Sequence, residues 1–298
     1  MSAIDLLADR QADWSAAANR LKNDVDKARW TTFLLSVAGA TLAAVASQLP
    51  VSENGSLLSN PRTWVALAGV LSLATATFLT SRLLSVGQIT NWITARAVSE
   101  SLKREGFKYA AGARPYDDDT VAGTRLDDER RKIEEAAVDL ERLIVRSDKQ
   151  GSVPRIFLSQ DDYIDQRVKH QIEKFYRPKA RQYLATAQWL RRIEFTLALT
   201  ATLVTAAASV TGKSIVLYGS PFDIAALTAV LTTVAGAVVA HIEANRLDYL
   251  VASYLAAARH LENQLASRDA NTSWSDFVDA CETIIAQENA AWIVKWKS

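Results

Sequence analysis

The 298-residue sequence predicts an all-α membrane protein: four transmembrane helices in two hairpins, extended by long cytoplasmic helices and a helical cytoplasmic region. Three observations predict it. First, the windows Trp30–Ser52, Thr63–Ser81, Phe195–Gly212 and Ile224–Ile242 hold no Asp, Glu, Lys or Arg, although 22% of the chain is charged. A helix needs about 20 apolar residues to cross the hydrocarbon core, and each window is near that length. Second, Trp and cationic residues flank the windows, as the two interfaces of a bilayer favour. Third, apolar residues at heptad spacing continue beyond the windows.

In chain order, the first element is a stalk. Trp14, Ala18, Leu21, Val25 and Ala28 step by four and three residues. With no helix stop before span one (about 30–50), they predict a helix longer than about 40 residues, near 60 Å at 1.5 Å per residue. Trp30 anchors its start. Pro50 and Pro61 bracket a short loop, 51–60, and Arg62 and Trp64 open span two (about 63–81). The stretch 114–123, with Pro115 and three consecutive aspartates, reads as a loop. Leu126, Ile133, Ala137, Leu140 and Ile144 share one face of a charged helix, which 147–154 then breaks. Ser159 and Asp162 resemble a capping box, and Arg177-Pro178 predicts a kink on the way to span three (about 195–212). Trp189, Arg191 and Arg192 anchor that span. Stretch 213–221 reads as a tight helix–helix connection. Ser220 would cap span four (about 222–242), with Pro221 at its first position. Beyond it, Leu247, Val251, Tyr254, Ala258, Leu261 and Leu265 form a second heptad seam, predicted to continue span four as an unbroken stalk. Ser273 and Asp276 start a last helix, on which Phe277, Cys281, Ile284, Ile285, Glu288 and Trp292 share a face. No strand pair is expected.

A shift of 162 residues superposes Phe33 on Phe195, Leu35 on Leu197, Ala44 on Ala206 and Ser47 on Ser209, and lays span two over span four. The chain therefore divides into a first two-span module, 1–120, a charged helical linker, 121–158, and a second two-span module, 159–298. Lys and Arg cluster before spans one and three and after span two, while the hairpin loops hold only Arg62 and Lys213. By the positive-inside rule both termini are expected in the cytoplasm and both loops outside. The acidic N-terminus, with Asp5 and Asp9, does not resemble a signal peptide.

The net charge of +1 gives no argument for nucleic acid as a partner, and one cysteine and three histidines give none for a metal centre. No nucleotide-binding, nucleophile-elbow or zinc-protease motif appears, so neither an enzyme nor a cofactor is expected. Cys281, on an apolar helix face, reads as a buried inert thiol. Small residues recur at four-residue spacing at Ala68, Ser72, Ala76 and Thr80, at Ala201, Thr205 and Ser209, and at Ala225, Ala229, Thr233 and Ala237. Such stripes let helices approach closely. Equally, Thr205 and Thr233 suit the wall of a water-filled pore in an oligomer. Glu194, His241 and Glu243 fall at the cytoplasmic membrane level beside Arg191 and Arg192. They form either an anchoring cluster or, in a symmetric oligomer, an acidic ring that attracts cations. Asp223, at the outer end of span four, belongs either to the helix start or to an outer acidic ring.

The stretch after span two carries Asn91-Trp92, Arg96, Glu100-Ser101-Leu102-Lys103, Tyr109, Gly112 and Pro115-Tyr116. This pattern resembles the SLATT family, the two-span effector domains associated with SMODS and SLOG proteins. The C-terminal run Trp274, Phe277, Cys281-Glu282, Glu288-Asn289, Trp292 and Trp296 is similar to the end of such a domain, and 163–192 to the long helix that opens one. The resemblance implies two modules in tandem, and a membrane effector of bacterial nucleotide-dependent defence that forms pores or channels. Its implied partners are the bilayer, further copies of itself, ions, and a separate sensor or nucleotide-synthesising protein. The reading from the residues alone keeps a rival: a non-conducting membrane scaffold that docks partners.

Overall fold

The computed structural model describes residues 2–49, 60–144, 146–147, 151–212, 214–217, 220–269 and 271–297. The chain is almost wholly helical. Its main helices are α1 (Ala3–Gln48), α2 (Pro61–Leu83), α3 (Val86–Ala110), α4 (Ala122–Glu135), the short α5 (Gln160–Tyr163), α6 (Arg177–Thr211), α7 (Ile224–Asn245), α8 (Leu247–Ser267) and α9 (Trp274–Lys297). Four helical stretches are long and apolar enough to cross a membrane, in α1, α2, α6 and α7, and they cover the four predicted spans to within about two residues at each end. The first loop, 51–60, lies outside the described residues except for Asn60.

Local chemistry starts these helices. Ser2 and Asp5 bond reciprocally at the head of α1, with the Asp5 N–H donating to Ser2 Oγ at 3.2 Å. Asn60 caps α2 by accepting from the Arg62 N–H at 3.0 Å, ahead of Pro61 at the first position. Ser159 caps α5 as expected, accepting from the Asp162 N–H at 3.1 Å.

Three details differ from the sequence reading. The connection between spans three and four is a small antiparallel hairpin, β1 (Ser214–Leu217) with β2 (Ser220–Asp223). Ser220 and Pro221 are therefore strand residues. Asp223 is the cap of α7, accepting from the Ala225 N–H at 2.8 Å. The β-branched pair Ile215-Val216, ahead of a turn, favours extended backbone over a tight helical connection. Next, span four does not run on unbroken: Arg246 adopts a left-handed conformation (φ 49°) between α7 and α8. Asn245 donates to the His241 carbonyl at 2.7 Å, so this helix end is capped by its own side chain. Finally, the linker helix ends at Glu135, and Val138–Leu143 continues as a 3-10 turn. Its predicted apolar face still packs inward, with Leu126, Ala137 and Leu140 buried.

Ahead of α6 the helix widens into two π-helical stretches, Ile164–Lys169 and Gln171–Tyr176, and returns to α geometry at Arg177. Pro178, where a kink is predicted, therefore directly follows two stretches of π geometry. Proline lacks an N–H and crowds the carbonyl four residues back, and wider turns relieve that crowding.

The chain folds as two compact units. One, here the span unit, comprises Asp26–Ser85 and Tyr183–Asp248; the other, the polar unit, comprises Met1–Val25, Val86–Gln182 and Tyr249–Ser298. The polar unit has an ordinary core, in which Leu7, Trp14, Leu102, Tyr116 and Leu126 are almost fully buried. Both heptad seams are buried along most of their length, including Trp14, Val25, Tyr254, Ala258 and Leu261.

In the span unit, Ala187, Leu190, Val238, Ile242 and Leu247 form a core, with Phe33 and Leu197 against it. Elsewhere α1 and α2 meet through glycines. A Cβ on Gly39 would lie 2.6 Å from Leu73 Cγ and 3.1 Å from the Gly69 carbonyl oxygen. Two helices can approach this closely only where side chains are absent. Replacing Gly39 with alanine is therefore expected to force the pair apart, at a cost of about 1–3 kcal/mol. Thermal unfolding in detergent checks this, and an unchanged midpoint would show that the helices have slack.

The 162-residue offset also appears in the elements. It carries Pro61–Leu83 to within a residue of Ile224–Asn245, the start of α3 at Val86 to within a residue of the start of α8, and Leu84 onto Arg246. Each half thus breaks its second span at the same place.

Candidate functional site

The residues singled out in the spans occupy unlike environments. Trp30, Trp64 and Trp189 all expose their rings, as interface anchors require, and Arg191 and Arg192 are exposed beside Trp189. Arg191 forms an ion pair with Asp248. Glu194 is half-buried and Glu243 exposed, and neither shares that pair. His241 is buried, with its ring 4.6 Å from that of Trp30 and 4.7 Å from that of Phe33. Its surroundings are those of a packing residue joining α7 to α1. Asp223 is committed to the α7 cap, and its backbone N–H donates to Gln48 Oε1 at 2.8 Å.

Several span hydroxyls are satisfied within their own helices. Thr205 donates to the Ala201 carbonyl at 2.8 Å, Thr233 to that of Ala229 at 2.7 Å, and Thr75 to that of Leu71 at 2.7 Å. Such back-bonding lets a hydroxyl sit in hydrocarbon without an orphaned donor. Thr205 also lies 3.4 Å from Thr228 Oγ1 across the α6–α7 pair. Thr202, Thr205 and Ser209 are spaced by three and four residues, so they share one face of α6, and all three are exposed.

The densest buried chemistry lies in the polar unit. Arg167, on the π-helical stretch, grips Glu282 of α9 through Nε (2.8 Å) and Nη2 (2.7 Å), and both side chains are only 1% exposed. Tyr163 donates its hydroxyl to the same carboxylate at 3.0 Å, and the Arg167 guanidinium stands 4.5 Å over the Phe107 ring. Burial opposes the charge on Arg167, but Glu282 more than offsets it and holds the guanidinium above its ordinary pKa. A second buried acid, Glu105, accepts from the Tyr116 hydroxyl at 2.8 Å and pairs with Arg104. A third, Glu288, is pushed up to about 7 by burial, against the pull of Arg96. Cys281 is buried as predicted, its thiol pushed up to about 12 by burial. No metal-type cluster of His, Cys, Asp and Glu occurs among the described residues.

Sequence reasoning placed no role on Arg167 and gave Glu282 only as part of a family pattern. The two are 115 residues apart, and neither breaks its helix's periodicity. The available signal was that each lies one helical turn from an apolar face residue, Tyr163 before Arg167 and Val278 before Glu282.

Four helices long and apolar enough to cross a bilayer, in an almost wholly helical chain, define an all-α multi-span membrane protein. Within that class, residues 163–292 match the SMODS and SLOG-associating 2TM effector domain 1, so this part of the chain is a two-span domain of the SLATT family. Residues 12–122 match a second family, DUF4231, whose members are of unknown function. No curated protein and no solved structure matches the chain.

Proposed function

We propose that the chain is an oligomeric membrane pore or ion channel, an effector of bacterial nucleotide-dependent defence built from two tandem two-span modules and gated through cytoplasmic helices. The exposed hydroxyl row Thr202, Thr205 and Ser209 carries this reading. Back-bonding makes each of these hydroxyls tolerable in lipid, but their oxygens keep acceptor capacity, and three on one face suit water at a subunit interface. Most of the surface of the spans is also free: only 6–22% of each span's most apolar stretch is buried within the chain. That leaves area for both lipid and further copies. α1 supplies a mechanical link, since one unbroken helix contains residues of both units. In this reading the protein lies in the inner membrane with both termini in the cytoplasm. Glu194 and Glu243 sit near the inner mouth, and a separate sensor or nucleotide-synthesising protein delivers the signal.

Reconstitution into liposomes tests it. Single-channel steps in planar bilayers are expected, and Glu194→Gln or Glu243→Gln should lower the preference for cations, read as a shift of reversal potential in a salt gradient. Membrane-inserted protein that passes no current at any density would favour a non-conducting scaffold.

A further inference from the structure

The polar unit contains a pocket of about 270 Å³ lined by Lys103, Phe107, Arg167, His170, Gln171 and the loop 151–154. Its walls are held in place. The Ser152 N–H donates to Gln11 Oε1 at 3.2 Å. A Cβ on Gly151 would meet the Ala8 carbonyl oxygen at 2.7 Å, so the loop lies directly on α1. A Cβ on Gly106 would meet Val153 at 2.4 Å, so the same loop also lies directly on α3. Among the described residues, the pocket walls carry Lys103, Arg167 and His170 and no acidic residue. Glu282 engages only Nε and Nη2 of Arg167. The third guanidinium nitrogen, Nη1, is buried without a hydrogen-bond partner among the described residues.

A buried, charged N–H donor left unpaired is costly, and its natural complement is an oxyanion. We infer that this pocket binds a small phosphate-bearing ligand, with Arg167 Nη1 and Lys103 as its charged donors and the Gln171 amide and His170 at its sides. Planar guanidinium and flexible ammonium groups together are the usual protein complement of a phosphoryl group. The volume sits at the small end of ligand sites, room for a phosphoryl group with a modest organic body but not for a polymer. Burial lowers the pKa of the Lys103 ammonium, and a bound anion would oppose that shift. The pocket rests on none of the features behind the pore reading, so either can fail alone.

The test is isothermal titration of the full-length protein in detergent with sodium pyrophosphate, at fixed ionic strength, against sodium chloride. One saturable site per chain is expected. Lys103→Met should weaken binding about tenfold or more, the effect of losing one charge-assisted contact, without moving the melting temperature in ligand-free buffer. Gln171→Ala, which keeps every charge, should weaken it less. Arg167 also holds Glu282, so its substitution is not informative here. No saturable heat above the chloride control, or equal affinity in wild type and folded Lys103→Met, overturns the assignment. Repeating the titration in phosphatidylcholine nanodiscs with and without phosphatidic acid separates the sources. Competition by the anionic lipid identifies a lipid headgroup as the phosphate donor. Equal affinity in both identifies a free ligand.

Discussion

Replacing Glu282 with leucine is expected to destabilise the polar unit by about 3–5 kcal/mol, because it strands the Arg167 guanidinium in a site from which water is excluded. Arg167 and Glu282 are each 1% exposed, so no rearrangement at the surface rescues the lone charge. The Tyr163 hydroxyl loses its acceptor in the same step. Against a total stability of about 5–15 kcal/mol for a typical domain, that loss leaves a large unfolded fraction. Arg167→Met alone should cost a similar amount, by stranding the carboxylate. The double variant Arg167→Met with Glu282→Leu should recover much of the loss, since an apolar pair of similar volume often replaces a buried ion pair at little cost. Denaturant midpoints for the four proteins complete the cycle. Single variants that fall within 1 kcal/mol of wild type, or a double variant as unstable as the sum of the singles, would show that the pair is not coupled.

The same pair marks where sequence reading stops. Spans were legible because lipid imposes one rule on about 20 consecutive residues, and the absence of charge over four windows satisfies it. The stalk seams were legible because Trp14 to Ala28 and Leu247 to Leu265 repeat at helical spacing. The break at Arg246 was not, because no glycine or proline marks it. It depends on Arg246 tolerating a left-handed backbone and on a cap supplied by Asn245. The hairpin 214–223 was hidden for a related reason: Pro221 and Asp223 suit a helix start in either register, and only the pairing of Ile215 with Phe222 chooses. Long-range chemistry was least visible. Arg167 looked like one more cation on a charged helix until the fold brought Glu282, Tyr163 and Phe107 around it. The ring contacts of His241 were equally hidden: an ionisable residue at a span edge gives no sign in the sequence that Trp30 and Phe33 pack against it.

Glu288 makes the stability of the polar unit fall as pH rises toward neutrality. Its carboxyl is pushed up to about 7 by burial, with Arg96 opposing that shift and Glu100 adding to it, against an ordinary value of 4.5. Below pH 4.5 the group is protonated whether the chain is folded or not, and contributes no dependence. Between 4.5 and about 7 the unfolded chain releases the proton while the folded chain retains it, so folding becomes progressively less favourable. Above about 7 both states are ionised and the loss levels off at about 3 kcal/mol, at 1.36 kcal/mol per pH unit. Glu288→Gln keeps the shape and removes the ionisation. It should flatten this part of the profile and raise stability at pH 8 relative to wild type, read from denaturant midpoints at pH 5, 6, 7 and 8. A variant with the same slope as wild type would place the titrating group elsewhere. Glu288 lies on α9 and the opposing Arg96 on α3, so this titration acts on the contact between those two helices.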